Sequence, residues 1–301
     1  MTGLNRQTDY NYKNMRAEIL GWLEKKLNKE ACQWLHSTAK KLAESPEDWE
    51  LFTSFSAVPR HTGKQVLNFS EAELSSAESL RSHWKPTNWT AGDLGRAYLI
   101  LSFADQGEEA FLDKIEKIFL TSDMSEAVAL YKGLPLYPYP EQFKDRAAEG
   151  VRSNMTNIFN AVAHHNPYPA EYLDEGAWNQ IVLKALFVES SLYKIVGLDE
   201  RANETLAKML VEYAHERWSA GREVSPELWR PVGPFIDDVY LNDIQKVLNH
   251  PDKLQKQAAL LAVMNSDYSG KEELLSSHEN IVTEIKEEDI NWDDIGREVE
   301  E

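Results

Sequence analysis

Basic residues are scarce in this chain: 32 Lys and Arg stand against 50 Asp and Glu, a formal net charge of -18. A chain this acidic repels phosphate backbones and anionic lipid, which argues against nucleic acid as a partner and against electrostatic docking on a membrane. Cysteine is nearly missing as well. Cys32 is the one thiol in 301 residues, so no internal disulfide framework exists and a reducing compartment is expected. No apolar run approaches the roughly 18 residues that a membrane-spanning helix needs. Met1 to Leu20 carries scattered charges and no apolar core ahead of a small-residue cleavage site, so no secretory signal is expected. Phosphate loops, nucleotide fingerprints and serine or cysteine nucleophile motifs are also lacking, and Cys32 falls on an apolar helical face where a thiol is inert. The expectation is a cytoplasmic protein with no cofactor, no nucleic-acid partner and no direct membrane insertion.

What is present is ordinary globular material: 42% hydrophobic and 27% charged residues, with 12 prolines and 14 glycines. Apolar residues recur at helical spacing, and no alternating strand pattern occurs anywhere. Met15 to Leu27 and Cys32 to Leu42 predict a helical hairpin. Ser45-Pro46-Glu47-Asp48 supplies a cap residue, a first-turn proline and early acids, which announce a helix start. Pro59 to Asn68 reads as a solvated loop, with Arg60, His61 and Lys64 in it. Ser70 with Glu73, and Thr90 with Asp93, have the spacing of capping boxes. Between them, His83 to Trp89 is an aromatic-rich loop whose tryptophans either line a pocket or, preferably, cover the ends of packed helices. Asp199 to Trp218 predicts a long helix, and Ile236 to Leu248 with Pro251 to Met264 predicts a second hairpin. A Pro-Tyr-Pro turn at 138–140 is echoed at 167–169, each time ahead of a helical segment.

The expected fold is all-α: stacked helical hairpins in an α-solenoid-like (HEAT/armadillo-like) single domain over residues 14–268. Residues 269–301 are expected to form an acidic tail, flexible or partner-docking. From Lys271 to Glu301 there are twelve acids and three bases, so half of the net charge lies in this stretch.

The densest chemistry is in the middle, from His164 to Phe187. Prolines at 167 and 169 are expected to rule out a helix across 166–169 and to make the chain turn there. After that turn, Asp174 or a neighbour starts a helix that is apolar on nearly every side, with Lys184 as its one interruption. An ammonium group so placed needs a carboxylate or several acceptors, or its pKa falls. Three readings compete. Metal binding by His165, Glu171 and Asp174 has suitable ligand types. Adjacent histidines in a helix point apart, however, and no paired ligand spacing appears, so no metal is expected. Acid–base chemistry by Lys184 with Glu171, Asp174 or Glu189 is weighed against a structural Lys–acid pair, which is preferred. The third reading is a binding surface, for which the candidate residues are His164, His165, Asn166, Tyr168, Glu171, Asp174, Trp178, Asn179 and Lys184. Nine tryptophans and twelve tyrosines in the chain supply flat apolar faces with polar rims.

The block His164–Phe187, with its Trp178-Asn179-Gln180 followed by Leu183-Lys184-Ala185-Leu186-Phe187, resembles the signature segment of the EboA family. The similarity covers roughly residues 155–190. It implies a helical protein encoded in a gene cluster associated with metabolite traffic. The other cluster products resemble a membrane prenyltransferase, a metal-dependent hydrolase, isomerase-like and dehydroquinate-synthase-like enzymes, and a phosphodiesterase. In pigment-producing members the cluster is linked to moving an aromatic scytonemin precursor out of the cytoplasm. The resemblance therefore favours a non-catalytic binding or scaffold role toward an aromatic or prenylated metabolite, with the other cluster products as partners. An enzyme acting on that metabolite through Lys184, Glu171 and Asp174 is the alternative.

Overall fold

The computed structural model describes residues 7, 10–44 and 47–301. The Ser45-Pro46 part of the expected helix start lies outside them. Among the described residues the chain is all-helical, with seventeen α-helices, five short 3-10 turns and one isolated antiparallel bridge between Val66 and Thr90. Its contacts divide it into two compact units, one running to Leu173 and the other Asp174–Glu301.

The first unit contains α1 (Tyr12–Lys26), α2 (Lys29–Ala43), α3 (Asp48–Thr62), α4 (Glu71–Leu80), α5 (Ala91–Ser102), α6 (Glu108–Thr121), α7 (Met124–Lys132), α8 (Lys144–Arg152), α9 (Thr156–Ala163) and α10 (Tyr168–Tyr172). Asn11 and Asn28 cap α1 and α2 through their side-chain oxygens. The boxes expected at Ser70/Glu73 and Thr90/Asp93 form at α4 and α5. All twelve residues of α5 are buried, and α1, α2, α3 and α7 pack around it. At Gly95 a β-carbon would lie 2.8 Å from a methyl of Val58, so glycine there lets α3 and α5 approach closely.

Pro59 does not end α3 as the expected loop would require; the helix continues to Thr62. A proline inside a helix leaves the carbonyl four residues earlier without its donor. Here that carbonyl belongs to Phe55, and the buried Arg96 of α5 donates its Nε–H to it at 3.3 Å. The same guanidinium reaches Ser125 of α7, and it lies 3.7 Å from Glu126. The defect in one helix thus becomes a tie between three, a repair that local sequence does not announce.

The tryptophans of the 83–89 loop cover packed helices. Trp84 stacks with Trp22 of α1 at 6.3 Å and meets Trp89 edge-on at 5.4 Å, and all three are buried.

The second unit contains α11 (Glu175–Phe187), α12 (Glu204–Ser219), α13 (Leu241–Leu248), α14 (Lys253–Met264), α15 (Lys271–Ser276), α16 (Glu279–Glu287) and α17 (Trp292–Glu300). Helix α12 starts later than its periodicity suggests, because the side chain of Asn203 caps it. Asp199, expected inside that helix, instead grips Arg230 through two bonds of 2.7 Å. Helix α13 is also shorter than expected: Asp237 accepts the amides of Val239 and Tyr240 in a turn just before it.

Helix α14 is the centre of this unit, packed against α13, α15, α16, α17 and the 3-10 turn Pro226–Trp229. Residues 269–301 are expected to be an acidic tail, flexible or partner-docking. These residues form three helices, with Val282, Ile285, Trp292 and Ile295 buried. Net charge misleads because the acids occupy the exposed faces, whereas four apolar side chains at helical spacing decide the docking. Asn291 and Asp294 close α17 with a reciprocal capping box.

Candidate functional site

The signature stretch begins where α9 stops. His164 is the residue that ends this helix, and His165 adopts a left-handed backbone conformation with φ of 51°, which turns the chain sharply. Both rings are half-buried, 6.5 Å apart and inclined at 71°. Asn166, buried, fastens the turn. Its amide donates to the carbonyls of Tyr131 and Ala161 at 3.1 and 3.0 Å, and its oxygen accepts the Tyr168 amide at 3.0 Å. The Tyr168 hydroxyl donates to the carbonyl of Pro140 at 2.6 Å, so the two Pro-Tyr-Pro turns are hydrogen-bonded to each other. Tyr168 and Tyr172 stack at 4.8 Å.

Glu171 projects from α10 into the interior of the first unit, where Arg81 meets it. Guanidinium and carboxylate pair through two parallel bonds of 2.8 and 2.5 Å. The side chains are only 3% and 0% exposed, so the pair is shut away from water. Arg81 also donates to the carbonyls of Pro135 at 2.8 Å and Ser82 at 3.3 Å, and it lies 5.6 Å over the ring of Tyr10. Burial pushes the Tyr10 phenol well above its usual pKa, and its hydroxyl donates to the Leu136 carbonyl at 2.8 Å. Sequence reasoning missed Arg81, ninety residues away from its partner. A lone arginine after α4 carries no local signal of its role.

The remaining signature residues belong to the second unit. Asp174 is exposed, and its carboxylate accepts the Ala177 amide at 2.8 Å as the cap of α11. Trp178 is buried, with the Arg201 guanidinium 5.1 Å from its ring. Asn179 exchanges two amide bonds with Asn203, the cap of α12, at 3.2 and 2.9 Å. The pair fixes the start of one helix to the middle of the other. Replacing Asn179 by Ala is expected to destabilise the fold by about 1 kcal/mol, because the half-buried Asn203 amide loses its partner. The Asn179→Ala/Asn203→Ala double variant should cost less than the two singles combined, as read by urea unfolding.

Helix α11 is not apolar-enclosed all round as its composition suggests. Phe187 is 76% exposed, and Lys184 is half-buried. Burial nevertheless pushes the Lys184 ammonium below the usual lysine pKa. A helix with apolar residues on every side still shows one face to solvent when its neighbours cover only the others.

The carboxylates Glu171 and Asp174, proposed as partners in acid–base work, each hold a structural bond. Glu171 is held bidentately by Arg81, and Asp174 caps a helix in the other unit. The metal reading named His165, Glu171 and Asp174. Among the described residues no group of three or more His, Cys, Asp or Glu side chains is placed to hold an ion. No helix among them is long and apolar enough to cross a membrane.

Comparison with curated proteins and with solved structures gives no match. Comparison with protein families matches residues 15–233 to the family described as metabolite traffic protein EboA. That span includes most of α1, all of α2 through α12, the Arg81–Glu171 pair and the whole signature stretch, and the chain belongs to the EboA family.

Proposed function

We propose that this chain is a non-catalytic binding or scaffold protein that assists cytoplasmic handling and export of a metabolite precursor, of aromatic or prenylated type. The observation that carries this reading is how the signature spends its polar groups. Glu171 binds Arg81, Asn166 binds two carbonyls and an amide, Asp174 caps α11, and Asn179 binds Asn203. A general base must reach its substrate with a pKa near the working pH. A carboxylate held by a guanidinium away from water does not reach a substrate, whereas side chains already fixed by bonds of their own suit a surface held in one shape for a ligand or partner. The family description, metabolite traffic, agrees with that use. The partners in this reading are the other cluster products: the prenyltransferase-like membrane protein and the hydrolase-like and isomerase-like enzymes.

A second reading, an enzyme acting on the same metabolite, is favoured by one observation: burial lowers the pKa of Lys184, and a deprotonated lysine is a base or a Schiff-base nucleophile. Two measurements separate them. In the first reading, aromatic or prenylated candidates that copurify with the chain change its tryptophan fluorescence on titration and are recovered unaltered. In the second, turnover is measurable and Lys184→Ala abolishes it while the variant stays folded.

A further inference from the structure

We propose that Ser191, Tyr193 and Lys194 form a binding site for the carboxylate of a small molecule with an apolar body, and that Glu300 of α17 closes this site as its internal occupant. This site lies wholly in the second unit and does not depend on the signature residues or on the reading above.

The site is built from beneath. Glu227, 3% exposed, accepts the backbone amides of Leu192 and Tyr193 at 3.1 and 2.6 Å. Burial raises the pKa of this acid, against the opposing pull of the two amides. It fixes the 191–194 segment from its inner side, and the outward side chains converge. The Ser191 hydroxyl and the Lys194 ammonium both donate to Oε1 of Glu300, and the Tyr193 hydroxyl donates to Oε2 at 2.9 Å. Three donors of different residues on one carboxylate, one of them cationic, make the arrangement a carboxylate-recognition site. Partial burial opposes ionisation of Glu300, but the hydrogen bonds from Lys194, Ser191 and Tyr193 outweigh it and hold its pKa at about 2.

The occupant is separable from the site. Ser191, Tyr193 and Lys194 fall inside the span the family matches, and α17 falls beyond it. A helix of nine residues is not stable on its own and owes its order to docking. Its apolar face, Trp292 and Ile295, packs toward α14 and the Pro226–Trp229 turn. The Trp292 Nε1–H is buried there without a hydrogen-bond partner, so docking forfeits part of what that face gains. Asp293, next to Trp292, adds a long ion pair with Arg230 at 3.8 Å. When α17 lifts, it uncovers the apolar neighbours of Trp292 and Ile295 in α14 and the Pro226–Trp229 turn and, at Gly296, the ring of Tyr193, whose hydroxyl is one of the three donors. A ligand with a carboxylate head on an apolar body matches that polarity.

An internal carboxylate competes with an external one at high effective concentration, so weakening it raises the affinity for the ligand. The test uses the full chain and sodium 1-naphthoate, followed by calorimetry, with hydrogen exchange reporting on α17. Glu300→Gln is expected to bind naphthoate at least tenfold more tightly than the parent chain and to exchange faster in α17. Adding Lys194→Ala to that variant is expected to return the affinity to the parent level. The uncharged 1-naphthamide should gain nothing, and a peptide of residues 291–301 should displace naphthoate. Ile295→Asp, which opposes docking by placing a charge on the buried face, is a second way to lift the helix. The proposal is overturned if α17 exchanges faster in either variant without tighter naphthoate binding, or if the amide gains as much as the acid. It is also overturned if α17 stays as protected as in the parent chain in both variants.

Discussion

Replacing Arg81 by Met is expected to destabilise the protein by about 3–5 kcal/mol, the cost of leaving a buried carboxylate without its counter-charge. Glu171→Leu should cost a similar amount for the opposite reason. The paired variant Arg81→Met/Glu171→Leu should recover much of the loss, because desolvating two charges offsets most of what their attraction contributes. Recovery should stop short of complete. The Pro135 carbonyl, which accepts from Arg81 Nε at 2.8 Å, is orphaned in the pair variant, and a buried unsatisfied acceptor costs about 1–3 kcal/mol. Urea unfolding of the four proteins forms the cycle. Single variants within about 1 kcal/mol of the parent would remove the argument that this pair anchors α10, since that figure is the range of solvent-exposed pairs. The result matters for function because Glu171 sits between Tyr168 and Tyr172 on the same short helix. The pair therefore sets where the stacked rings of Tyr168 and Tyr172 are held.

Trp84→Ala is expected to cost about 3–5 kcal/mol, the usual effect of emptying a large buried aromatic site. Trp84 has no exposed surface and lies against both Trp22 and Trp89, so neighbouring side chains cannot collapse into the space without breaking their own contacts. The near-ultraviolet circular dichroism of the folded state should weaken together with the unfolding midpoint, since the coupled indoles lose a member. Phe187→Ala is the natural comparison. Phe187 is equally aromatic but 76% exposed, and a substitution at such a surface position falls within about 0.5 kcal/mol of the parent. Equal losses at the two positions would contradict the placement of the tryptophan cluster.

The helical class, the capping boxes at Ser70 and Thr90, the α1–α2 hairpin and the α13–α14 pair were all legible in the chain. They rest on contacts within one or two turns, where spacing and cap chemistry act locally. The signature's family resemblance was legible for the same reason, being a contiguous block. What the block's residues do was not. Arg81 meets Glu171 across ninety positions, Asn203 meets Asn179 across twenty-four, and Arg96 repairs the proline gap at Phe55 across forty-one. The fate of residues 269–301 was hidden in another way, because a count of charges says nothing about which face of a helix carries them. Local sequence fixes how each segment is capped and coiled, since those energies are settled by neighbours in the chain. Which buried charge finds which counter-charge, and which face of a helix loses its water, is settled only when distant segments pack, and there the tertiary structure decides.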